Sequence, residues 1–339
     1  MLDLQRSKAV VRDYYDAIAR AAPDTLLATM EARLNPDYHW RGMHPFDELH
    51  GPQAVHDAFL APFLASFRSV QRRQDVFMAG LNEIDQGAST WVCSMGHLMG
   101  LFDKPWLGIP ANRKIAVLRY AEFHRVKGGR IAETAFFFDL IHLMQQVGLQ
   151  VLPPQTGASL VQPGPMTHDG LLFEAQDPIE GKATIDLINR MRVDLNAGHL
   201  FKTPRDELSR TWHEDMIWWG PGGIGATYTI DRYIEQHQQP FKVHLKDRKF
   251  NGHLCRFAEG RFGGFFGWPN LTLTPCGGFM GLPATETPAD MRVVDIYRRD
   301  GDKLAENWIF IDILHFLKMQ GLDVLSRNQS LMNTTSVLA

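Results

Sequence analysis

The chain has 339 residues, 45% of them hydrophobic and 22% charged, which is the composition of an ordinary globular protein with about two domains. Its 35 Lys and Arg residues nearly balance 38 Asp and Glu residues, so a nucleic acid or a membrane is not an expected partner. The N-terminal sequence lacks the apolar core of a secretion signal, and the three cysteines are widely spaced. We therefore predict a cytoplasmic chain without disulfide bonds.

The first half begins with helices. Apolar residues at helical spacing predict two helices, over residues 4–21 and 24–34. A short strand around Trp40 follows, and Gly51-Pro52 precedes a third helix, because proline is favoured in the first helical turn. Strand-like alternation is then found in three segments, residues 88–95, 113–126 and 130–138.

The first half ends with a hairpin and a helix. Lys127-Gly128-Gly129 is typical of a tight turn, so the last two predicted strands are antiparallel neighbours. The final helix, over residues 140–147, stops at Gly148, which suits a left-handed C-terminal cap. Helices followed by a meandering antiparallel sheet predict an α+β domain.

The second half repeats the first. Residues 130–152 and 303–325 share nine identities over 23 positions at a constant offset of 173. A second constant offset, 178, relates residues 37–63 to residues 215–241. We interpret the chain as a tandem duplication. The predicted boundaries are residues 1–152 for the first copy, 153–184 for a Pro/Gly-rich linker and lead-in segment, 185–326 for the second copy and 327–339 for a tail.

Three motifs of the first copy carry a resemblance to a known family. They are Asp37-x-x-Trp40-x-Gly42, the heptapeptide Pro-Phe-Asp-Glu-Leu-His-Gly at residues 45–51, and the stretch from Gly-Arg-Ile-Ala-Glu at residue 129 to Gly148. With the order of elements, they make each copy resemble the SnoaL-like polyketide cyclases of the nuclear-transport-factor-like superfamily. The resemblance implies two cone-shaped domains, each a curved antiparallel sheet with covering helices around a cavity.

The resemblance also implies a function. Members of this family close rings by intramolecular aldol chemistry, with an acid/base group in the cavity. The usual His on the penultimate strand falls at Glu122 here and at Asp295 in the second copy, and the usual Asp on the last strand falls at Phe136 and Ile309. The implied function is a small-molecule enzyme of the cyclase, isomerase or hydratase type, with a carbonyl-containing substrate and no cofactor.

Strand alternation selects the candidate acid/base groups. Tyr120, Glu122 and His124 share one face of the penultimate strand, and Asp295 and Tyr297 share the corresponding face in the second copy. We predict that Glu122 with His124, and separately Asp295, exchange protons with the substrate, since burial raises the pKa of a carboxyl group toward neutrality. The alternatives are a structural Glu–His pair at the cavity mouth and a Glu122 that is hydrogen-bonded to a loop amide.

Aromatic and histidine side chains near the predicted cavity are candidate ligand contacts, although the aromatic ones fit a hydrophobic core equally well. This set consists of Trp40, His44, His97, Tyr120, Trp218, Trp268 and Tyr297. The sequence contains no His-Glu-x-x-His motif, and the spacing of its histidines at 39, 44, 50 and 56 does not place them on one helix face. We therefore predict no metal site.

Asp139 and Asp312 occupy matching positions where a predicted strand gives way to a predicted helix, and each is followed by a His three residues later. The position favours a helix N-cap, in which the carboxylate accepts a backbone N–H, over an acid/base role. The two histidines, His142 and His315, then fall in the first helical turn and are expected to be structural.

The last strand of each copy is apolar on both faces, and one of those faces must be covered from outside the cone. We predict that the copies pack together as an intramolecular pseudo-dimer, with Phe137, Trp308 and Phe310 at the interface. Further homodimerisation stays open. Two functional alternatives also stay open: a non-catalytic protein that binds a small metabolite, and a chain in which one cone acts and the other is a scaffold.

Overall fold

In the computed structural model, which describes residues 2–337, the first half forms one sheet with its covering helices. Helices α1 (Leu2–Arg20) and α2 (Leu26–Glu31) come first. The helical segment that follows the second strand consists of α3 (Pro52–Val55), a π-helical turn (His56–Leu60) and α4 (Ala61–Ser66). The strands are β1 (Leu34–Gly42), β2 (Asp47–His50), β3 (Phe67–Leu81), β4 (Thr90–Phe102), β5 (Ile115–Lys127) and β6 (Arg130–Phe138), and α5 (Leu140–Gln146) follows them.

The first sheet has the strand order β2-β1-β6-β5-β4-β3, with β1 parallel to β6 and the other neighbours antiparallel. Strand β3 was not predicted, because residues 68–74 are mostly polar and show no apolar alternation. The β3–β4 register shifts between Arg68 and Gln71 and between Gln74 and Val76. Such irregularities bend a sheet and increase its twist, which curves this one around the helices.

The second half is built in the same way. Its helices are α6 (Pro178–Asn196), α7 (Pro204–Leu208), α8 (Ile230–Tyr233), α9 (Gln239–His244), α10 (Ile313–Met319) and α11 (Val324–Val337), with a π-helical turn at Ile234–Gln238 and 3₁₀ turns at Gly198–Leu200 and Phe279–Gly281. Its strands are β7 (Trp212–Trp219), β8 (Thr227–Tyr228), β9 (Leu245–Phe250), β10 (Cys255–Glu259), β11 (Phe262–Pro275), β12 (Ala289–Asp300) and β13 (Lys303–Ile311). The sheet order is β10-β11-β12-β13-β7-β8, and β9 also pairs with β11.

The two sheets therefore share one strand order, in which β9 and β10 together take the place of β3. This confirms the predicted α+β fold class with two domains. Helix α6 begins at Pro178, inside the predicted lead-in segment, and the boundaries assigned to the two domains stay predictions. Residues 338–339 of the predicted tail lie outside the described residues. Within residues 2–337, no helix combines the length and the apolar character needed to cross a membrane.

Strand register identifies equivalent positions in the two domains. Arg72 on β3 lies two strands away from Leu118 on β5, in register through β4. Phe250 on β9 lies two strands away from Met291 on β12, in register through β11. Leu118 and Met291 are separated by the repeat offset of 173. Phe250 is therefore the counterpart of Arg72.

The domains meet through a pair of matching contacts. Asp139 accepts a hydrogen bond from the backbone N–H of Gly222 at 2.7 Å, and Asp312 accepts one from the backbone N–H of His44 at 3.0 Å. His44 and Gly222 are themselves separated by the offset of 178. The other carboxylate oxygen of each Asp accepts the N–H three residues later, at the start of α5 and of α10. The predicted N-caps are confirmed, and they also join the domains.

Aromatic side chains fill the space between the sheets. Phe137 has its ring centroid 5.6 Å from that of Trp268 and 6.1 Å from that of Phe266, and the Arg119 guanidinium lies 4.0 Å above the ring of Phe310. The predicted interface positions of Phe137 and Phe310 are confirmed. Trp308 is buried as well, and its indole N–H donates to the carbonyl of Pro163, in the segment between the two sheets.

Candidate functional site

A cavity of about 600 Å³ lies in the first domain, between α1, α2, the π-helical segment and the curved sheet. This volume falls in the range of small-molecule sites, about 300–1,000 Å³. Its polar end is formed by residues of α1, β3 and β5. Its apolar wall includes Leu26, Tyr38, Trp40, Phe59, Phe63 and Phe136.

Glu122 is the centre of the polar end. It is 7% exposed and belongs to the lining of the cavity. Its Oε2 atom accepts a hydrogen bond from the Tyr15 hydroxyl at 2.8 Å and one from Nη1 of Arg72 at 2.5 Å, and His124 Nε2 lies 3.6 Å away. All three contacts use Oε2, and among residues 2–337 no group donates a hydrogen bond to Oε1. The carboxylate therefore keeps one oxygen for a ligand.

The charge of Glu122 differs from the sequence-based expectation. Burial alone would raise its pKa, but the Arg72 guanidinium, the nearby His124 and the hydrogen bond from Tyr15 outweigh burial and hold the pKa at about 2. Glu122 is thus an ionised carboxylate at neutral pH. The prediction of a raised pKa was wrong because it did not include Arg72, which lies on the strand that the sequence pattern did not reveal.

The hydrogen-bond network fixes the orientation of His124. Ionised Glu122 can only accept, so the single Tyr15 O–H points to it, and His124 Nε2–H must donate to the phenol oxygen, 2.6 Å away. The other ring nitrogen, Nδ1, lies 2.8 Å from the hydroxyl of Thr134. Burial, with the neighbouring Glu122 charge, raises the pKa of Tyr15 well above its usual value, so the phenol keeps its proton.

The Arg72 side chain is held by aromatic rings as well as by Glu122. Its guanidinium carbon lies 3.8 Å from the ring centroid of Tyr15 and 4.6 Å from that of Tyr120. Tyr120 bonds through its hydroxyl to Ser94, at 2.9 Å. Arg72 and Tyr15 are functional candidates that sequence reasoning missed. The chemistry-bearing residues of the cavity thus come from α1, β3 and β5, far apart in the chain.

Three predicted ligand contacts of the first domain, His44, His97 and Tyr120, lie outside this cavity. His97 is on β4 next to Leu98, and strand alternation places it on the opposite face of the sheet, 3.4 Å from Asp75. His44 lies against the second domain, where its backbone N–H donates a hydrogen bond to Asp312. None of the three belongs to the lining of this cavity, and their role in ligand binding stays a prediction. Trp40, Glu122 and His124 do line it.

The second domain packs one additional ring against its tryptophan. Trp218, the counterpart of Trp40, stacks on His237 with a centroid distance of 3.9 Å, and Tyr233 lies 5.8 Å away. The first-domain counterparts of His237 and Tyr233, at the offset of 178, are Phe59 and Val55, which both line the cavity. Trp268 is not inside this domain but at the domain interface, where Arg292 lies 4.0 Å above its ring.

Asp295 is the counterpart of Glu122 and has a different environment. It is buried, and it accepts a hydrogen bond from Asn307 at 3.1 Å. Burial raises its pKa to about 7, and the hydrogen bonds from Asn307 and Tyr297 and the charge of Arg192 offset this only in part. Among residues 2–337 it has no salt bridge within 4.0 Å, since the counterpart of Arg72 is a phenylalanine. The predicted raised pKa holds for Asp295.

Comparisons with known proteins agree with the resemblance for the first domain. Residues 11–134 match the family model of the SnoaL-like domain, whereas no curated protein matches the chain. The matched residues run from α1 into β6 and include Tyr15, Arg72, Glu122, His124 and Thr134. Every residue of the polar end therefore lies in the matched segment.

Solved structures are similar to parts of the chain. A protein from Jannaschia sp. CCS1 named as a SnoaL-like polyketide cyclase is 17% identical, with a TM-score of 0.35, over 43% of this chain and 93% of that one. A polyketide cyclase by name from Xanthomonas campestris is 21% identical, with a TM-score of 0.33, over 42% and 97%. An NTF2-like protein from Burkholderia xenovorans LB400 is 13% identical, with a TM-score of 0.34, over 41% and 97%. The first domain is thus similar to the SnoaL-like domain over residues 11–134.

Proposed function

We propose that the first domain is an acid/base enzyme of the cyclase, isomerase or hydratase type, acting on a small ring-bearing molecule with a carbonyl group. The observation that carries this proposal is the ionised Glu122, held by Arg72 and Tyr15 at the end of an apolar cavity, with an Oε1 atom that accepts no hydrogen bond from the described residues. Buried polar groups that converge on an apolar pocket are the usual arrangement of a reactive site.

The roles follow from the hydrogen-bond directions. Glu122 Oε1 removes a proton from the carbon next to the carbonyl, and the enolate oxygen that forms is stabilised by N–H groups of Arg72. The single O–H of Tyr15 stays on Glu122 Oε2, and His124 acts with Glu122 by donating to Tyr15 and so keeping the phenol in place. Protonated Glu122 then returns the proton to carbon, which restores the carboxylate.

The low pKa of Glu122 narrows the substrate class. General-base catalysis is most efficient when the pKa of the base is close to that of the group it deprotonates, and a carboxylate with a pKa of about 2 is a weak base. The site therefore suits a strongly acidic carbon, such as one flanked by two carbonyl groups. Trp40, Phe59 and Phe136 supply ring faces for a planar substrate.

We assign the second domain the role of a scaffold. The rings of Trp218, Tyr233 and His237 pack together there, and Phe250 replaces the arginine that ionises the first-domain carboxylate. One observation favours a non-catalytic binding protein instead: the strong Glu122–Arg72 ion pair is typical of a static polar site as well as of a reactive one.

Solvent deuterium exchange distinguishes these functions. The purified chain is incubated in heavy water with 2-acetyl-1-tetralone, a ring-bearing 1,3-diketone, and the loss of its α-proton is followed by NMR. We expect the wild type to accelerate exchange, Glu122→Gln to slow the catalysed rate by about 10²–10⁴-fold, the usual contribution of a general base, and Asp295→Asn to leave it unchanged.

The alternative outcomes are distinct. A wild-type melting temperature that rises with the diketone, without faster exchange, identifies a binding protein. Catalysed exchange that survives Glu122→Gln contradicts the assignment of the base. Exchange lost in Asp295→Asn but not in Glu122→Gln moves the activity to the second domain.

A further inference from the structure

We propose that His39, Glu48 and His50 form a surface site for a divalent transition-metal ion of the zinc class. The site lies on the hairpin of β1 and β2, at the edge of the first sheet. It is separate from the cavity, since none of its three side chains belongs to the cavity lining. It does not depend on the proposed function.

The hairpin register brings the three residues together. His39 on β1 pairs directly with His50 on β2, and Glu48 pairs with Arg41. Because side chains alternate between the faces of a strand, residues 39 and 41 share one face with residues 48 and 50. The sequence-based expectation of no metal site compared these histidines with a helix face, whereas they are cross-strand neighbours.

The distances suit metal ligation. The ligand atoms of the three residues lie within 4.8 Å of one another, and His39 Nε2 is 2.8 Å from Glu48 Oε2. Two zinc ligands with bonds of about 2.0–2.1 Å in tetrahedral geometry lie about 3.3 Å apart, so half an ångström of movement admits an ion between these two atoms. The ring of His50 stacks on that of His39 at 4.6 Å, and its exposed side chain is free to turn a nitrogen toward the same point.

The ligand set selects the kind of metal. Two imidazole nitrogens and one carboxylate suit zinc and its neighbours in the transition series, whereas calcium and magnesium prefer oxygen ligands alone. Two arginines lie nearby, and Glu133 is 2.9 Å from Arg41 and 2.6 Å from Arg125. Together, Glu48 and Glu133 balance these two positive charges, so the local charge is near zero. The affinity therefore rests on ligation and not on a strong negative field.

A residue of the second domain orients the carboxylate. The indole N–H of Trp268, on β11, donates to Glu48 Oε1 at 3.0 Å, which directs Oε2 toward His39. Outer partners of this kind raise metal affinity by about 10–100-fold in characterised sites. Metal binding at this hairpin is thus linked to the contact between the two domains.

Zinc titration of the metal-free full-length chain tests the proposal. Calorimetry at pH 7.5 is expected to show a zinc site in the wild type that magnesium does not occupy. His50→Ala and Glu48→Gln should each remove that site, and Trp268→Phe should weaken it by about 10–100-fold. His56→Ala is the matched control, because His56 also lies 2.7 Å from a carboxylate, that of Asp57, outside the proposed site.

Circular dichroism and melting of each variant establish that a lost site is not a lost fold. Zinc binding of unchanged stoichiometry and affinity in both His50→Ala and Glu48→Gln overturns the proposal, because the ion then binds elsewhere on the chain. A wild type that takes up no zinc overturns it as well. Loss of zinc binding in His56→Ala would overturn it too, because the ion would then bind at His56 and Asp57.

Discussion

The two domains place a carboxyl group at the same point of the same strand and give it opposite properties. Glu122, beside Arg72, has a pKa of about 2, whereas Asp295, which lacks such a partner, has a pKa of about 7. Burial disfavours the ionised form of both groups, and it is outweighed only at Glu122, where the Arg72 guanidinium is the largest opposing effect. The strand position thus decides whether the group is buried, and a residue two strands away has the largest influence on whether it is charged.

The interiors differ in the same direction. In the first domain Val55 and Phe59 line a cavity, whereas their counterparts Tyr233 and His237 pack against Trp218 in the second domain. A cavity and an ionised carboxylate therefore occur together in the first domain, whereas in the second the carboxyl group lacks a salt bridge within 4.0 Å among the described residues and a tyrosine packs beside Trp218. The hydrogen bonds that Asp139 and Asp312 accept across the domain interface, in contrast, are present in both domains. Exchanging residues between equivalent positions tests which differences matter.

Arg72→Phe gives the first domain the residue that the second domain has, and we expect the largest effect from it. It leaves Glu122 as a buried charge without its partner, and breaking such pairs costs about 3–5 kcal/mol of unfolding free energy. Glu122 stabilises the fold fully above its unfolded pKa of 4.5, and this contribution disappears as the pH falls toward the folded value of about 2. Urea unfolding at pH 7 and pH 4 should therefore show a smaller difference from wild type at the lower pH.

Arg73→Phe is the matched control, because Arg73 is the next residue of β3 and is exposed on the other face. A surface change of this kind usually alters stability by no more than about 0.5 kcal/mol. Equal losses in the two variants, or a loss in Arg72→Phe that is the same at both pH values, would contradict the role given to the ion pair.

Arg72 shows which part of the candidate site could not be predicted from the sequence. The repeat, the helices and the strands of the β5–β6 hairpin were predictable, because apolar residues there alternate and Gly-containing turns separate them. Strand β3 was not, since its polar first half lies at the edge of the sheet and has no apolar face to reveal it. Glu122 and His124 were predicted from the family resemblance together with strand alternation. Their partners Arg72 and Tyr15 are set by the curvature of the sheet and the placement of α1, which no local pattern encodes.

Asp295→Asn should stabilise the protein at alkaline pH. The folded pKa of about 7 exceeds the unfolded value of 3.8, so wild-type stability falls as the pH rises from about 4 to about 7. Asparagine does not ionise and so removes this loss. The difference between the folded and the unfolded pKa corresponds to a gain of up to about 4 kcal/mol of unfolding free energy at pH 8. At about pH 3, below both pKa values, Asp295 is protonated in the folded and in the unfolded state, so the variant should match the wild type there.

Denaturant unfolding at the two pH values measures this difference. Asp302→Asn, in the exposed turn after β12, is the control and should be neutral at both. A variant that is destabilised at pH 8 would mean that Asp295 is ionised and paired, and that the second domain resembles the first after all.

His237→Phe carries the smallest expected effect and concerns the filled interior. Burial lowers the pKa of His237 from 6.5 to about 3, so the folded protein holds the imidazole neutral and loses stability as the pH falls below about 6.5. Phenylalanine, the residue at the equivalent position of the first domain, cannot be protonated, and the variant should gain about 2 kcal/mol relative to wild type at pH 5. At pH 8 the imidazole is neutral in both the folded and the unfolded protein, so only the change in packing against Trp218 affects the stability of the variant. Thermal melting at both pH values separates the two contributions, and a pH-independent difference would show that packing, not the imidazole charge, distinguishes the two interiors at this position.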